Sequence, residues 1–271
     1  MASRSIEITS RQIREIEYHK HHAEKLRLRR TSISYDILHS HRRRWWNAYW
    51  SMYDIVLGQN LRGKTALVVG CGAGADAIYL AKLGAEVHAF DLSPDMISLA
   101  GDQAESEGVQ VDFRIMSAEM LLYPASMFDV ILVRDILHHC EVDSVVQQLS
   151  KVAKRDGQVI INELYTHSAL QAFRDSTLGK WLQSKLVPII YGGKEPYITI
   201  DERKLDEQQL RTLQKFVNRG DCAYFNMFVN RFLPEHWTLA NKWDRRTMRV
   251  FGSLGYLLAG RFLLWGMIRN E

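Results

Sequence analysis

Three cysteines in 271 residues, Cys71, Cys140 and Cys222, are too few and too scattered to frame a disulfide scaffold or a zinc knuckle. A reducing, cytoplasmic setting is the expectation. Residues 1–30 lack the apolar core of a secretion signal and are polar and charged throughout. No metal-ligand set is complete either. His19, His21 and His22 lie close together, but neighbouring side chains on a helix point about 100° apart, and no acid or cysteine completes a set. They read as a solvated face. The one stretch approaching membrane length, Val250 to Ile268, is broken by Gly252, Gly255, Gly260 and Gly266 and by an internal Arg261, so it predicts a helix plus a strand.

With 46% hydrophobic residues the chain can bury a full core, as one large domain or a domain plus a cap. Its net charge of +4 conceals a segregation: residues 1–64 carry +7, residues 65–164 carry −9, and residues 165–271 carry +6. An acidic core is flanked by two basic segments, which either attract phosphate, anionic lipid or an acidic substrate, or are ordinary solvated helix surface, the favoured reading. Residues 6–30 predict a polar helix with Ser10 as its N-cap. Arg42, Arg43 and Arg44 precede Trp45, Trp46, Tyr49, Trp50 and Tyr53. This interleaving favours an amphipathic helix packed on the core, with a substrate, lid or membrane-interface role as the alternative.

Thr65 to Asp91 organises the rest. The apolar run Ala66–Val69 meets Gly70, Gly72 and Gly74. An apolar-periodic segment follows, and a second apolar run, Val87–Phe90, ends on Asp91. The order is strand, glycine turn, helix, strand, the first half of a nucleotide-binding α/β sheet. Glycines let the turn adopt positive φ and press its backbone against a ligand, and the following helix offers unpaired N–H groups. Asp91, 21 residues after Gly70, is placed to accept from two ribose hydroxyls. Gly70-x-Gly72-x-x-Ala75 also satisfies the dinucleotide fingerprint, so the turn alone leaves NAD and an S-adenosyl ligand both open.

Further strands are predicted at Val109–Ile115, Phe128–Val133 and Gly157–Glu163. A helix opens at Ser93-Pro94, and another runs from Val142 to Ala153. Alternating strands and helices imply a parallel sheet with its ligand at the carboxyl ends of the strands. Asp91, Ser117 to Glu119, Arg134 to His139 and Glu163 all fall at such ends.

On these motifs, from Thr65 to about Tyr165, the chain resembles the class I S-adenosylmethionine-dependent methyltransferases. Val68–Gly74 matches the first motif, Asp91 in FDLSPDM the ribose acid, Phe128–Ile131 the acidic strand, Leu137–His139 the LHH after it, and Gly157–Glu163 the strand ending in an acid. The resemblance implies a Rossmann-like seven-stranded sheet with helices on both faces, and S-adenosyl-L-methionine as cofactor. The cofactor would be held by Gly70, Cys71, Gly72, Gly74, Asp91, Leu92, Met96, Ser117, Ala118, Glu119 and Arg134. A dehydrogenase would not need the later motifs, so NAD falls to runner-up. Two letters depart from the family: Val68 stands where an acid usually helps hold the methionine end, and Ser117 where Asp is common beside the adenine. Tyr35, or an arginine among 42–44, is the expected replacement for the first. If the acceptor is a hydroxyl or ammonium a base is needed. His139 is the first candidate, with His138 beside it and Asp135 or Glu163 orienting it. The alternative is that both histidines only pack.

The expected organisation is an N-terminal helical cap (1–60), a cofactor-binding core (61–165), a lid or substrate insertion after strand five (166–220), and C-terminal strands completing the sheet (221–271). The insertion is read as an apolar helix around Trp181–Tyr191 with a Gly192-Gly193 hinge, then a helix capped by Thr199 or Asp201 and running to Val217. A sixth strand is expected at Ala223–Phe232 and the last at Arg261–Ile268. The apolar and aromatic content of 45–53, 181–191 and 223–232 points to a small, partly apolar acceptor: a natural product, quinone or lipid-like molecule, with a peripheral lipid contact left open. The alternative acceptors are RNA or protein, gripped by the basic flanks. Against them stand the lack of a recognisable RNA-binding domain and of an Asn/Asp-Pro-Pro-Tyr motif after strand four. A scaffold that has lost its chemistry is the non-enzymatic reading.

Overall fold

The computed structural model describes residues 9–29, 33–181, 185, 204–227 and 237–269. Five strands, β1 (Thr65–Val69), β2 (Glu86–Asp91), β3 (Asp112–Ile115), β4 (Phe128–Arg134) and β5 (Ala153–Leu164), run parallel, with β6 (Val217–Phe225) and β7 (Arg261–Ile268) completing a sheet of order β3-β2-β1-β4-β5-β7-β6. β7 is antiparallel to both of its neighbours. The chain order reverses between β1 and β4, and in open α/β sheets that switch point is where the ligand crevice forms.

Side chains alternate across the sheet, so each strand feeds two cores. Leu67, Val69, Ile131 and Val133 face one side, with Val145 and Leu149 of α6 (Val142–Val152) and Leu213 of α8 (Glu207–Phe216). On α6 the apolar positions 142, 145, 149 and 152 recur at helical spacing, which is why that face is buried. Ala66, Val68, Ala89 and Leu132 face the other side, with Leu80 of α4 (Ala75–Lys82) and Trp50, Met52, Tyr53 and Val56 of α3 (Ala48–Leu57). The arginine-aromatic segment therefore packs as expected: α3 is part of a helical layer of the sheet, preceded by the short α2 (Asp36–His39). α5 (Pro94–Ser106) starts with Ser93 as N-cap and Pro94 at its first turn.

Some boundaries differ from the sequence expectation. The N-cap of α1 (Ser10–Arg29) is Thr9, not Ser10: Thr9 Oγ1 accepts from Gln12 N while Gln12 Oε1 accepts from Thr9 N, a reciprocal capping box. α8 likewise begins only after Asp206, in a second capping box with Gln209. Leu205 lies ahead of it, bridged to Tyr165. The proposed caps Thr199 and Asp201 lie outside the described residues, as does most of the apolar insertion. Of that insertion α7 (Ser168–Asp175) and an exposed Trp181 are described. β6 begins at Val217, straight after α8, rather than at Ala223, because Val217 and Asn218 already pair with β7. α9 (Thr238–Phe251) and a short 3-10 turn (Gly252–Leu257) then lead into β7 where expected. Among the described residues no helix is long and apolar enough to cross a membrane.

Candidate active site

The turn after β1 carries Gly70, Gly72 and Gly74 at φ +64°, +51° and +87°. They do different work. A Cβ on Gly70 would meet the Ile136 side chain at 2.7 Å, whereas one on Gly72 would point into open space. Gly74, by contrast, seats α4 against Ala100 of α5 rather than facing the cleft. Asp91, buried at the tip of β2, clamps the bend: Oδ2 accepts from Gly72 N at 2.9 Å and Oδ1 from Ser93 N at 2.9 Å. Each carboxylate oxygen keeps further acceptor capacity.

A cleft of about 420 Å³ opens beside this bend, lined by Gly70–Ala73, Asp91, Arg134–Ile136, His138, His139 and Arg261. A narrow extension of about 60 Å³ runs between Phe90, Leu92 and Met116–Ala118. The two share Gly70, Asp91, Ile136 and His139 and form one trough. Helix α1 roofs it. Gln12 Nε2 donates to Ser117 Oγ (3.3 Å) and Glu119 Oε2 (3.1 Å), and Glu15, Tyr18 and His19 line the wide part.

The strand-four end is built on a fully buried carboxylate. Glu163 Oε2 accepts from the backbone N–H of Ile136 (2.9 Å) and Leu137 (2.7 Å). Its Oε1 accepts from Leu164 N and pairs with His138 Nδ1 at 2.7 Å. Burial opposes the charge on Glu163, but the His138 ring and the surrounding N–H donors win and hold its pKa below the ordinary carboxylate value. His138 is thus committed to the scaffold. His139 stacks obliquely on it, ring centres 4.0 Å apart, and turns to the trough, where its Nδ1 lies 3.0 Å from Glu15 Oε1, off the alignment of a hydrogen bond. Glu15 is buried, which disfavours its charge, yet His139, His19 and Arg11 around it hold its pKa below the usual range.

Asp135 sits at φ +54° between two arginines, accepting from Arg261 at 2.6 Å and Arg134 at 3.2 Å. Arg134 Nε donates to Asp76 Oδ2 at 2.7 Å, and Asp76 Oδ1 takes the hydroxyls of Tyr53 (2.7 Å) and Tyr49 (3.0 Å). Burial works against the Arg134 charge; Asp76 and Asp135 outweigh it and keep it firmly protonated. A second cavity of about 320 Å³ lies behind this network, reached past Asn47, Tyr49, Asn162 and Asn226.

The structure therefore brings Gly70, Cys71, Gly72, Asp91, Leu92, Ser117, Ala118, Arg134, Asp135, His138 and His139 to one trough. Glu119 is tied to it through Gln12. Met96, expected at the cofactor, lines neither part: it packs with Leu99 of α5 and Ala23 of α1. Tyr35 is not there: its hydroxyl bonds to Glu107 past the end of α5 and its ring packs on Tyr79. Arg43 is bound to Asp54, and Arg44 lies over Trp50; neither lines the trough. Val68, where the family often has an acid, is buried in the core, and the Asp76–Arg134–Asp135–Arg261 chain of ion pairs lies at the end of the neighbouring strand β4. Asp76, Gln12, Glu15 and Arg261 were not read as site residues. Asp76 could have been found as an acid in the first turn of the helix after the glycines, but nothing local marks Glu15.

The residues fit an S-adenosyl group on three counts. The bend is bare at Gly72, Asp91 is fixed beside it, and Phe90, Met116 and Ala118 wall the narrow slot. Residues 67–161 match the family described as "Methyltransferase domain". The ubiquinone biosynthesis O-methyltransferase of Sinorhizobium fredii (strain NBRC 101917 / NGR234) is 30% identical over 196 residues, 71% of this chain and 74% of that one. The enzyme of the same name from Xanthomonas euvesicatoria pv. vesicatoria is 32% identical over 131 residues, 47% of this chain and 54% of the relative, so there the match spans about half its length. The solved magnesium protoporphyrin IX methyltransferase from Synechocystis PCC 6803 with bound SAH superposes with a TM-score of 0.54 at 18% identity, over 96% of this chain and 100% of that one, which shows a shared fold.

Proposed function

Because the chain belongs to the class I S-adenosylmethionine-dependent methyltransferases, we propose that the trough carries methyl transfer to a hydroxyl on a small, partly apolar aromatic acceptor of the quinone-precursor type. The observation that carries the reading is the Asp91 carboxylate, locked to Gly72 N at 2.9 Å, in a trough that His139 also lines. S-adenosylmethionine supplies a methyl group on a sulfonium, and the reaction is a displacement at carbon.

The protein's own work is alignment, desolvation and one proton. Asp91 would accept from the ribose hydroxyls of the cofactor, Phe90, Met116 and Ala118 would wall its base, and Arg134 and Asp135 would meet its charged amino-acid end. His139 takes the hydroxyl proton as methyl transfer proceeds, and Glu15 beside it stabilises the imidazolium that results. The likeness to ubiquinone biosynthesis O-methyltransferases supports a hydroxylated aromatic ring as acceptor. Such acceptors partition into lipid, so the enzyme collects them at a membrane surface from a cytoplasmic position, in keeping with its three free cysteines.

Transfer of a tritiated methyl from S-adenosylmethionine to a catechol-type quinone precursor tests the acceptor class. A labelled ether is expected. Intact binding of S-adenosylhomocysteine without transfer to any hydroxylated ring would remove the acceptor assignment and leave the cofactor site standing.

A further inference from the structure

Helix α9 is inside out. At helical spacing its buried positions are Asn241, Asp244 and Met248, while Leu239, Trp243 and Val250 form the opposite stripe and stand in solvent. Trp243 is 65% exposed and Val250 85%, and exposed Phe251 at the helix end and Leu254 beyond it continue the apolar surface. An apolar stripe normally turns to the core; here it is presented outward on a helix that carries four cations and one acid.

The cations edge this stripe and are held by aromatic rings. Arg246 lies 5.9 Å from the rings of both Trp243 and Trp45, Arg249 is 5.0 Å from Trp45, and Lys242 is 4.7 Å from Trp46. Tryptophan beside aliphatic side chains, with arginine and lysine at the rim, is the composition of a helix lying in the headgroup region of a bilayer. The sole acid, Asp244, is turned inward, so the outer face is uniformly cationic. A nucleic acid would use the cations but not Leu239, Val250 and Leu254.

We infer that α9, with Trp45 and Trp46, docks this protein on a membrane surface rich in anionic phospholipid, inserting Leu239, Trp243 and Val250 to the level of the acyl boundary. The docking face is separate from the trough, so it stands whether or not the acceptor is a quinone precursor.

Sedimentation with sonicated vesicles, read alongside tryptophan emission, tests it. Vesicles of phosphatidylcholine with about one quarter phosphatidylglycerol should bind the protein with a blue-shifted emission, and pure phosphatidylcholine should bind at least about tenfold less. Trp243→Glu should abolish binding. Arg246→Glu with Arg249→Glu should weaken it by about 25-fold or more, about fivefold per charge. All these positions are at the surface, and unchanged melting temperatures confirm folding. No binding to anionic vesicles, equal binding to both compositions, or variants that bind like the wild type would each overturn the proposal. So would concentration-dependent dimerisation that Trp243→Glu abolishes while vesicle binding is absent, which would assign the face to a second copy of the chain. Tighter capture of a single-stranded RNA than of anionic vesicles would also overturn it.

Discussion

Two neighbouring histidines at the end of β4 have opposite fates, and the difference is set by which carboxylate each one meets. His138 finds Glu163, which has no exposure and already holds three backbone N–H groups, so the pair is architecture. His139 finds Glu15, supplied by a helix that roofs the trough, and lines the open cavity. If His139 is the base, His139→Ala lowers kcat by a factor on the order of 10² with little change in S-adenosylhomocysteine affinity. Glu15→Gln gives a smaller loss in kcat and an altered pH profile. A change under about threefold for His139→Ala returns the ring to packing. Asp91→Ala removes the ribose acceptor and the clamp on Gly72 together; hydrogen bonds to a charged group are worth about 1.5–3 kcal/mol each, so calorimetry should show cofactor binding weakened by at least about tenfold at an unchanged fold. The cysteines offer a third check at this scale. Burial pushes the Cys71 and Cys140 thiols well up and Cys222 to about 11. Near pH 8 all three should react with iodoacetamide at least about a hundredfold more slowly in the native protein than after unfolding; brisk native labelling of Cys71 would mean that the turn opens far more than its hydrogen bonds imply.

At the scale of elements, the strand–turn–helix unit was legible because each of its parts obeys a local rule: apolar strand, glycines at positive φ, acid at the next strand tip. The division of labour within the turn was not, since it depends on residues far along the chain. Both glycines hold a left-handed backbone, but at Gly70 a Cβ would also stand 2.7 Å from Ile136, whereas at Gly72 it would meet only the space open to a ligand. Gly70→Ala should therefore unfold the turn, at a cost of about 2–3 kcal/mol from a clash added to a left-handed backbone. Gly72→Ala costs only the conformational penalty of about 1–2 kcal/mol and leaves a folded protein with impaired cofactor binding. Equal melting temperatures for the two variants would contradict this reading. The same locality explains what the sequence hid elsewhere. Asp206, three residues ahead of Gln209, carries a capping-box signature, but Thr199 and Asp201 offered competing caps upstream, and the bridge from Tyr165 to Leu205 that keeps the preceding residues out of the helix is a long-range contact. Tyr35 is the expected replacement for the acid missing at Val68. The fold instead carries it to the far side of α4, against Tyr79 and Glu107. Glu15 and Gln12 reach the trough across more than a hundred residues of chain, a placement that periodicity does not record.

For the molecule as a whole, one buried carboxylate joins the sheet, the loop from Ile136 to His139 and the His138 ring, and this makes stability depend on acid in a defined direction. The folded pKa of Glu163 lies below its ordinary value despite total burial, so the unfolded chain takes up the proton first. Its contribution is complete above the unfolded pKa of about 4.3 and is lost as pH falls through that value toward the folded one. Removing the charge of a buried carboxylate that several donors hold costs about 3–5 kcal/mol. Glu163→Gln should therefore be less stable by roughly that amount at neutral pH and show a flatter decline between about pH 5 and pH 3. Denaturant unfolding at a series of pH values measures both. The loop from Ile136 to His139 hangs from the same carboxylate. The variant that still folds should therefore also bind S-adenosylhomocysteine more weakly, although Glu163 does not line the trough. If Glu163→Gln matched the wild type in acid stability and in cofactor affinity, the carboxylate would be a passive filler. The trough would then owe its shape to packing of the sheet and helices alone.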